Sequence, residues 1–146
     1  MQIRDKLIYF VCKTEGMEEL YDPLRKKNVS ATAEERVRQW FIRQLLESAR
    51  VPAHLMMSET GFKFGDKQYR TDILVYDRDG QPLVIVECKR PEVAISALTA
   101  QQALRYNAVL SVRFIMLTNG TVTYVFRREG AGFRRFDHFP TYEEML

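Results

Sequence analysis

Between positions 33 and 49 apolar residues recur every three or four places, at Val37, Trp40, Phe41, Leu45, Leu46 and Ala49. That spacing predicts a helix with one apolar face, about Ala33 to Ala49. Ser30-Ala31-Thr32 opens it and Pro52 helps to stop it. The period then changes. Met56 to Phe64 and Tyr69 to Tyr76 read as strands separated by the turn residues Gly65-Asp66-Lys67. After Asp79-Gly80, a hairpin signal, Leu83-Val84-Ile85-Val86 is apolar on both faces, as expected of a central strand covered on two sides. Pro91 ends that run, a second helix is expected from about Ala97 to Val109, and Arg113 to Leu117 gives another buried strand. A helix between two strands indicates a crossover. Asn119-Gly120 turns the chain into Thr121 to Arg127, Gly130 to Gly132 turns it again before Phe133 to Phe136, and Thr141 to Leu146 reads as a short helical tail.

Residues 1–29 are less periodic. An alternating stretch near Leu7 to Val11 precedes Tyr21-Asp22-Pro23-Leu24 and the basic run Arg25-Lys26-Lys27, and the segment is read as a lead-in arm wrapping the core. The whole predicts one domain, 1–146, of α/β class: a mixed β-sheet of about five strands flanked by helices in the order α-β-β-β-α-β-β.

Composition changes this picture little. With 46% apolar and 28% charged residues, the chain matches an ordinary folded domain. A net charge of +3 means that any nucleic-acid contact must come from a local patch. The apolar stretch Leu7 to Cys12 is too short to span a membrane. Cys12 and Cys88 lie far apart without C-x-x-C spacing, which points away from zinc or a disulfide framework and toward a reducing cytoplasm. His54 and His138 stand alone and are read as ordinary structural or surface residues. No G-x-x-x-x-G-K-[ST] loop is present, so the chain shows no ATP site.

The candidate chemistry comes from register. If Asp79-Gly80 centre a hairpin, Asp72 lies opposite Glu87 and Arg70 opposite Lys89. Opposed side chains share a face, and Lys89, two residues beyond Glu87, shares it as well. Two facing carboxylates at the end of an apolar strand need compensation. A hard divalent cation supplies it, magnesium or manganese rather than zinc, given oxygen donors and no Cys/His set. The alternative is an ion-pair cluster in which Lys89 and Arg70 neutralise Asp72 and Glu87, and geometry alone leaves both readings open. On the first helix, Thr32-x-x-Glu35 has capping-box spacing, which gives Glu35 a structural task. At about 100° per residue, Glu34 instead shares the phase of Val37, Phe41, Leu45 and Ala49 and is expected to face the sheet. Glu34 is therefore nominated over Glu35 as a site residue. Cations on offer to a phosphate backbone are Arg25, Lys26, Lys27, Arg36, Arg38, Arg43, Arg90 and Arg105.

Asp72 followed by Glu87-x-Lys89 on the next strand, behind a helix carrying Glu34 or Glu35, resembles the PD-(D/E)xK nuclease superfamily, with Thr71 where its proline often stands. More specifically, Glu34-Glu35-Arg36-Val37-Arg38-Gln39, Asp72 to Asp77, Val86-Glu87-Cys88-Lys89-Arg90-Pro91 and Gln102-x-x-x-Tyr106 together resemble the N-terminal nuclease domain of type I restriction enzyme R subunits, over about Asp22 to Phe126. The resemblance implies a restriction-endonuclease-like core and a Mg²⁺-dependent deoxyribonuclease, with Mn²⁺ as a second possible ion. It implies Asp72 and Glu87 as metal ligands joined by the Cys88 carbonyl. Lys89 would orient the attacking water or stabilise the charged transition state, with Gln102 and Tyr106 near the site on the second helix. DNA is the implied partner, together with a second copy of the chain or separately encoded restriction or helicase subunits. The rival reading is a nuclease-fold module that binds DNA or protein without cutting.

Overall fold

Thr32 begins the longest helix because its hydroxyl accepts the N–H of Glu35 at 3.1 Å, satisfying one of the donors that a first helical turn leaves unpaired. In the computed structural model, which describes residues 3–107 and 111–146 and all their side chains except those of 62, 64, 102, 103 and 105–107, this helix is the second. Helix α1 spans Ile3–Thr14, strands β1 and β2 span Glu19–Asp22 and Lys27–Ser30, and helix α2 spans Ala33–Glu47. Strands β3 (Met56–Phe64), β4 (Lys67–Tyr76) and β5 (Pro82–Cys88) follow, then helix α3 (Ala97–Asn107). Strands β6 (Phe114–Thr118), β7 (Thr123–Glu129) and β8 (Gly132–Arg135) and the short helix α4 (Tyr142–Met145) complete the chain. The predicted residues Ala108 and Val109 of the second helix lie outside the described residues.

The main sheet runs β3-β4-β5-β6-β7-β8, six strands where about five were expected. Among the described residues only β5 and β6 pair in parallel, joined across α3 by the expected crossover. Val84, Ile85 and Val86 are buried, which fits their place in the middle of the sheet. Alternation along the strands separates two faces. Ile73, Val75, Val84, Val86, Phe114 and Met116 join Val37, Phe41 and Leu45 of α2 in one core cluster. Leu74, Ile85 and Ile115 belong to a second cluster on the other face, with Leu104 of α3 packed against it. Phe41, Ile42 and Leu45 are fully buried, each stabilising the fold by about 1.5–3 kcal/mol.

Three local expectations are corrected. The alternation at Leu7–Val11 belongs to a helix, whose buried positions Leu7, Phe10 and Thr14 show three- and four-residue spacing, while Ile8 and Tyr9 are exposed and blur the stripe. Leu7 enters the main core, and it packs where Gly120 has no side chain: a Cβ there would lie 2.7 Å from Leu7 Cδ2. Helix α2 ends before Pro52 acts. Arg50 takes a left-handed conformation (φ 59°) and the N–H of Val51 bonds the Leu45 carbonyl at 2.9 Å, closing the last turn. The β4–β5 connection is not a two-residue turn. The N–H of Asp77 bonds the Gln81 carbonyl at 2.8 Å, leaving the three-residue loop Arg78-Asp79-Gly80 with Gly80 at φ 80°. A register shift at Val75/Tyr76 offsets the odd loop, so Ile73 still faces Val86 and Leu74 faces Ile85, as predicted.

Candidate active site

Strands β4 and β5 keep their backbone ladder only as far as Ile73 and Val86. Beyond that pair side chains take over. The Thr71 hydroxyl lies 3.1 Å from the Ile73 carbonyl and 3.0 Å from the Val86 carbonyl, and the Cys88 N–H donates to Asp72 Oδ2 at 2.7 Å. Strand β5 meanwhile stays paired with β6, and the Lys89 N–H reaches the Thr118 carbonyl at 2.8 Å. The hairpin therefore opens as a fork at Asp72. The opposite edge of β4 is also irregular there. Ser58 pairs with Ile73 and Thr60 with Thr71, so the intervening Glu59 sits beside Asp72, in a left-handed conformation (φ 47°) uncommon for a residue with a side chain.

Two guanidiniums organise the charges around this fork. Arg38, only 7% exposed, bonds Asp72 Oδ1 at 2.7 Å, Glu35 Oε1 at 2.7 Å and Glu34 Oε1 at 3.4 Å. Arg25, from the turn between β1 and β2, bonds Asp22, Glu35 and Glu59 at 2.5, 2.6 and 2.5 Å. Five carboxylates, Asp22, Glu34, Glu35, Glu59 and Asp72, thus share two cations. Burial opposes protonation of Arg38, but the bond to Asp72 and the nearby acids outweigh it and hold its pKa above the ordinary arginine value. Burial likewise works against the charge of Asp22, but hydrogen bonds from Arg25 and the Leu24 N–H win and lower its pKa. Cys88 is fully buried, and burial, then the Asp72 charge, push its thiol well above the usual range, so it stays protonated.

The outer prong of the fork is wetter. Glu87 and Lys89, 45% and 41% exposed, approach each other at 3.8 Å. Lys89 lines an open groove with Thr32, Ala33, Glu34, Arg90 and Val93, which brings the start of α2 over the end of β5. One wall is pinned by the Asn119 amide, which donates to the Val93 carbonyl at 2.9 Å.

The type I restriction enzyme R protein N-terminus (HSDR_N) family model matches residues 33–140, which contain the fork, the groove apart from Thr32, and the helix that crosses them. The chain belongs to this family. Among solved structures, it is similar to a fragment described as the HsdR subunit of a type I restriction enzyme from Vibrio vulnificus YJ016, at 22% identity and a TM-score of 0.57. That match covers 77% of this chain and 24% of the other, so the present chain spans about a quarter of the fragment and the likeness is one of fold. A second, a protein described as a nuclease belonging to DUF820 from Anabaena variabilis ATCC 29413, has 15% identity and a TM-score of 0.48 over 90% of this chain and 84% of that one. Among curated proteins none matches the chain. The fold is the restriction-endonuclease-like arrangement, a mixed sheet flanked by helices.

Within this family setting the predicted residues fall into distinct places. Asp72 bonds the backbone beside Glu87, and Glu34 shares the groove with Lys89. Among the described residues no ion pair joins Asp72 to Glu87, and Arg70 is exposed without an acid partner. The ion-pair alternative keeps its Lys89–Glu87 half, but Arg38, not Arg70, pairs with Asp72. Its spacing from Glu34 and Glu35, four and three residues, was the available signal. The phase argument for Glu34 is also corrected, because Glu34 is half exposed and Glu35 is buried. The first turn of α2 overhangs the fork, and Arg25 covers the side where Glu35 points. Of the capping box only the Thr32 half forms, since the Glu35 carboxylate goes to the two arginines. Arg25, Arg36 and Arg38 leave the set of phosphate cations; Arg36 bonds the Thr14 and Met17 carbonyls at the end of α1. Gln102 and Tyr106 fall on α3, with their side chains outside the described residues.

A divalent cation is tested against these residues by donor chemistry. Among the described residues no three His, Cys, Asp or Glu side chains converge as a metal cluster. Magnesium, however, is commonly held by one or two carboxylates with water completing its shell. Asp72 and Glu87 are hard oxygen donors on adjacent strands, and each Asp72 oxygen keeps a lone pair beyond its present bond. The acids around Arg25 and Arg38 outnumber their cations. The residues fit the ion in charge and donor type.

Proposed function

We propose that the chain is a metal-dependent endonuclease-type domain that hydrolyses DNA phosphodiester bonds. The observation that carries this reading is the fork itself: in a member of the R protein N-terminus family, the two strands separate where Asp72, Glu87 and Lys89 stand, under the acidic start of α2. Asp72, Glu87 and the Cys88 carbonyl are the groups that would hold Mg²⁺, or Mn²⁺, and the ion when bound would supply Lewis-acid charge at the scissile phosphate. Lys89 places an ammonium in the groove, where it offsets charge developing on the phosphate oxygens. Arg38 and the Cys88 N–H hold the Asp72 carboxylate between α2 and β5, and Glu34 closes the groove from above. Gln102 and Tyr106 complete the proposed set from α3. The wider setting, in the cytoplasm with a second copy or with separately encoded restriction or helicase subunits, belongs to the same proposal.

One observation favours a second reading. Both Asp72 oxygens are already engaged, by Arg38 and by the Cys88 N–H, which suits a module that binds DNA or protein without cutting it.

The two readings separate on supercoiled, linear and single-stranded DNA incubated with Mg²⁺ or Mn²⁺. Cleavage that vanishes in Glu87→Ala and falls by about two orders of magnitude or more in Lys89→Ala supports hydrolysis at this site. Cleavage that both substitutions leave intact overturns the assignment, and DNA binding with no cleavage under any metal favours the binding module.

A further inference from the structure

A row of directly opposed residues crosses the sheet from the fork: Glu87 on β5 faces Leu117 on β6, and Leu117 faces Tyr124 on β7. Opposed residues share a face, so the Tyr124 ring lies on the face that carries Glu87, two strand spacings or about 10 Å away. Phe126, two residues on, stacks with Tyr124 on that face at 6.3 Å between ring centres. Its partner across the ladder is Arg135 on the edge strand β8, whose guanidinium lies over the Tyr124 ring at 4.9 Å.

The arginines of this hairpin are not equivalent. Arg127 and Arg134 oppose each other on the other face and both pair with Glu129, at 3.4 and 3.2 Å. Arg128 is tethered through its Nε to the Val112 carbonyl at 2.9 Å. Arg135 is exposed and, among the described residues, has no acid partner. The acid nearest along the chain, Asp137, is taken by His138 at 2.7 Å. A cation resting on an aromatic face keeps the edge of its planar fork free for two oxygens of a phosphate.

We infer that Arg135, laid over Tyr124, is a phosphate-binding subsite for the nucleic acid that this domain binds. This rests on the nuclease-fold reading above and places the contact at the β8 edge, beyond the stretch where Leu117 and Phe126 are buried with Ile95 and Ala100. The charge sits where sequence reasoning placed none, since its candidate phosphate cations stopped at Arg105.

The test uses the intact chain and a short fluorescein-labelled DNA duplex in EDTA, with affinity followed by anisotropy against salt concentration. Arg135→Gln is expected to weaken binding several-fold at low salt and to reduce the slope of log affinity against log salt by about one unit, the loss of one phosphate contact. Arg134→Gln removes the same charge next door and is expected to leave the slope unchanged, and Arg135→Lys to restore it. Equal shifts in Arg134→Gln and Arg135→Gln, or an unchanged slope in Arg135→Gln while the wild type binds, overturn the subsite alone. A wild-type chain that does not bind DNA overturns the subsite together with the function it rests on.

Discussion

The β4–β5 hairpin is built in two ways along its length. On the turn side of Asp72, Ile73 to Val75 and Val84 to Val86 are buried, paired backbone to backbone and covered by α2 on one face. On the other side the same strands are joined by Thr71 and Asp72 side chains, and the space between them is governed by two arginines and five acids. The first half is held by non-directional burial and tolerates changes of shape within limits. The second is held by directional contacts, each of which leaves a buried polar group exposed to cost when it is removed. A site that must admit a charged substrate is found in the second kind of structure, and the first supplies the platform that keeps it in place.

The contrast is broken most severely at Arg38. Arg38→Ala leaves Glu35 and Asp72 without their shared cation, and the cost expected from removing one member of a buried ion pair is about 3–5 kcal/mol, read by chemical denaturation. A loss below about 1 kcal/mol would show that the network is solvated and that the open half needs no internal cation. Thr71→Val is close to isosteric and removes the hydroxyl that replaces the ladder at Val86. It is expected to destabilise by about 1–3 kcal/mol and to speed amide hydrogen exchange at Cys88 more than at Val84. Equal exchange at both positions would mean that the fork is not an independent unit. The smallest effect is expected in the closed half. Ile73→Val should cost about 0.5–1.5 kcal/mol and leave DNA affinity and any cleavage unchanged, so altered affinity would show that the halves are coupled.

The second helix shows why some of this was readable in advance. Its apolar stripe and the hydroxyl of Thr32 are local properties, visible within a window of a few residues, and they place α2 to within two residues at its end. The hairpin register was also predicted, although by a turn that does not form: the three-residue loop and the shift at Val75/Tyr76 offset each other. The demand that Ile73, Val75, Val84 and Val86 share one buried face selects that register whatever the turn does. The lead-in was misread for the opposite reason. Helix α1 exposes Ile8 and Tyr9 and buries Thr14, so its sequence carries little of the face it presents to α2 and Gly120.

Local pattern was thus sufficient for the strands of the main sheet, the crossover, the register that sets Ile73 opposite Val86, and the family that those motifs resemble. Tertiary structure alone decided which distant acids the two arginines reach. Arg25 reaches Glu59 across thirty-four positions and Arg38 reaches Asp72 across the same separation, so neither pairing has a sequence period to betray it. Burial follows from short-range alternation, whereas a salt bridge depends on where two distant segments come to rest, and in this protein that dependence governs the environment of the candidate active site.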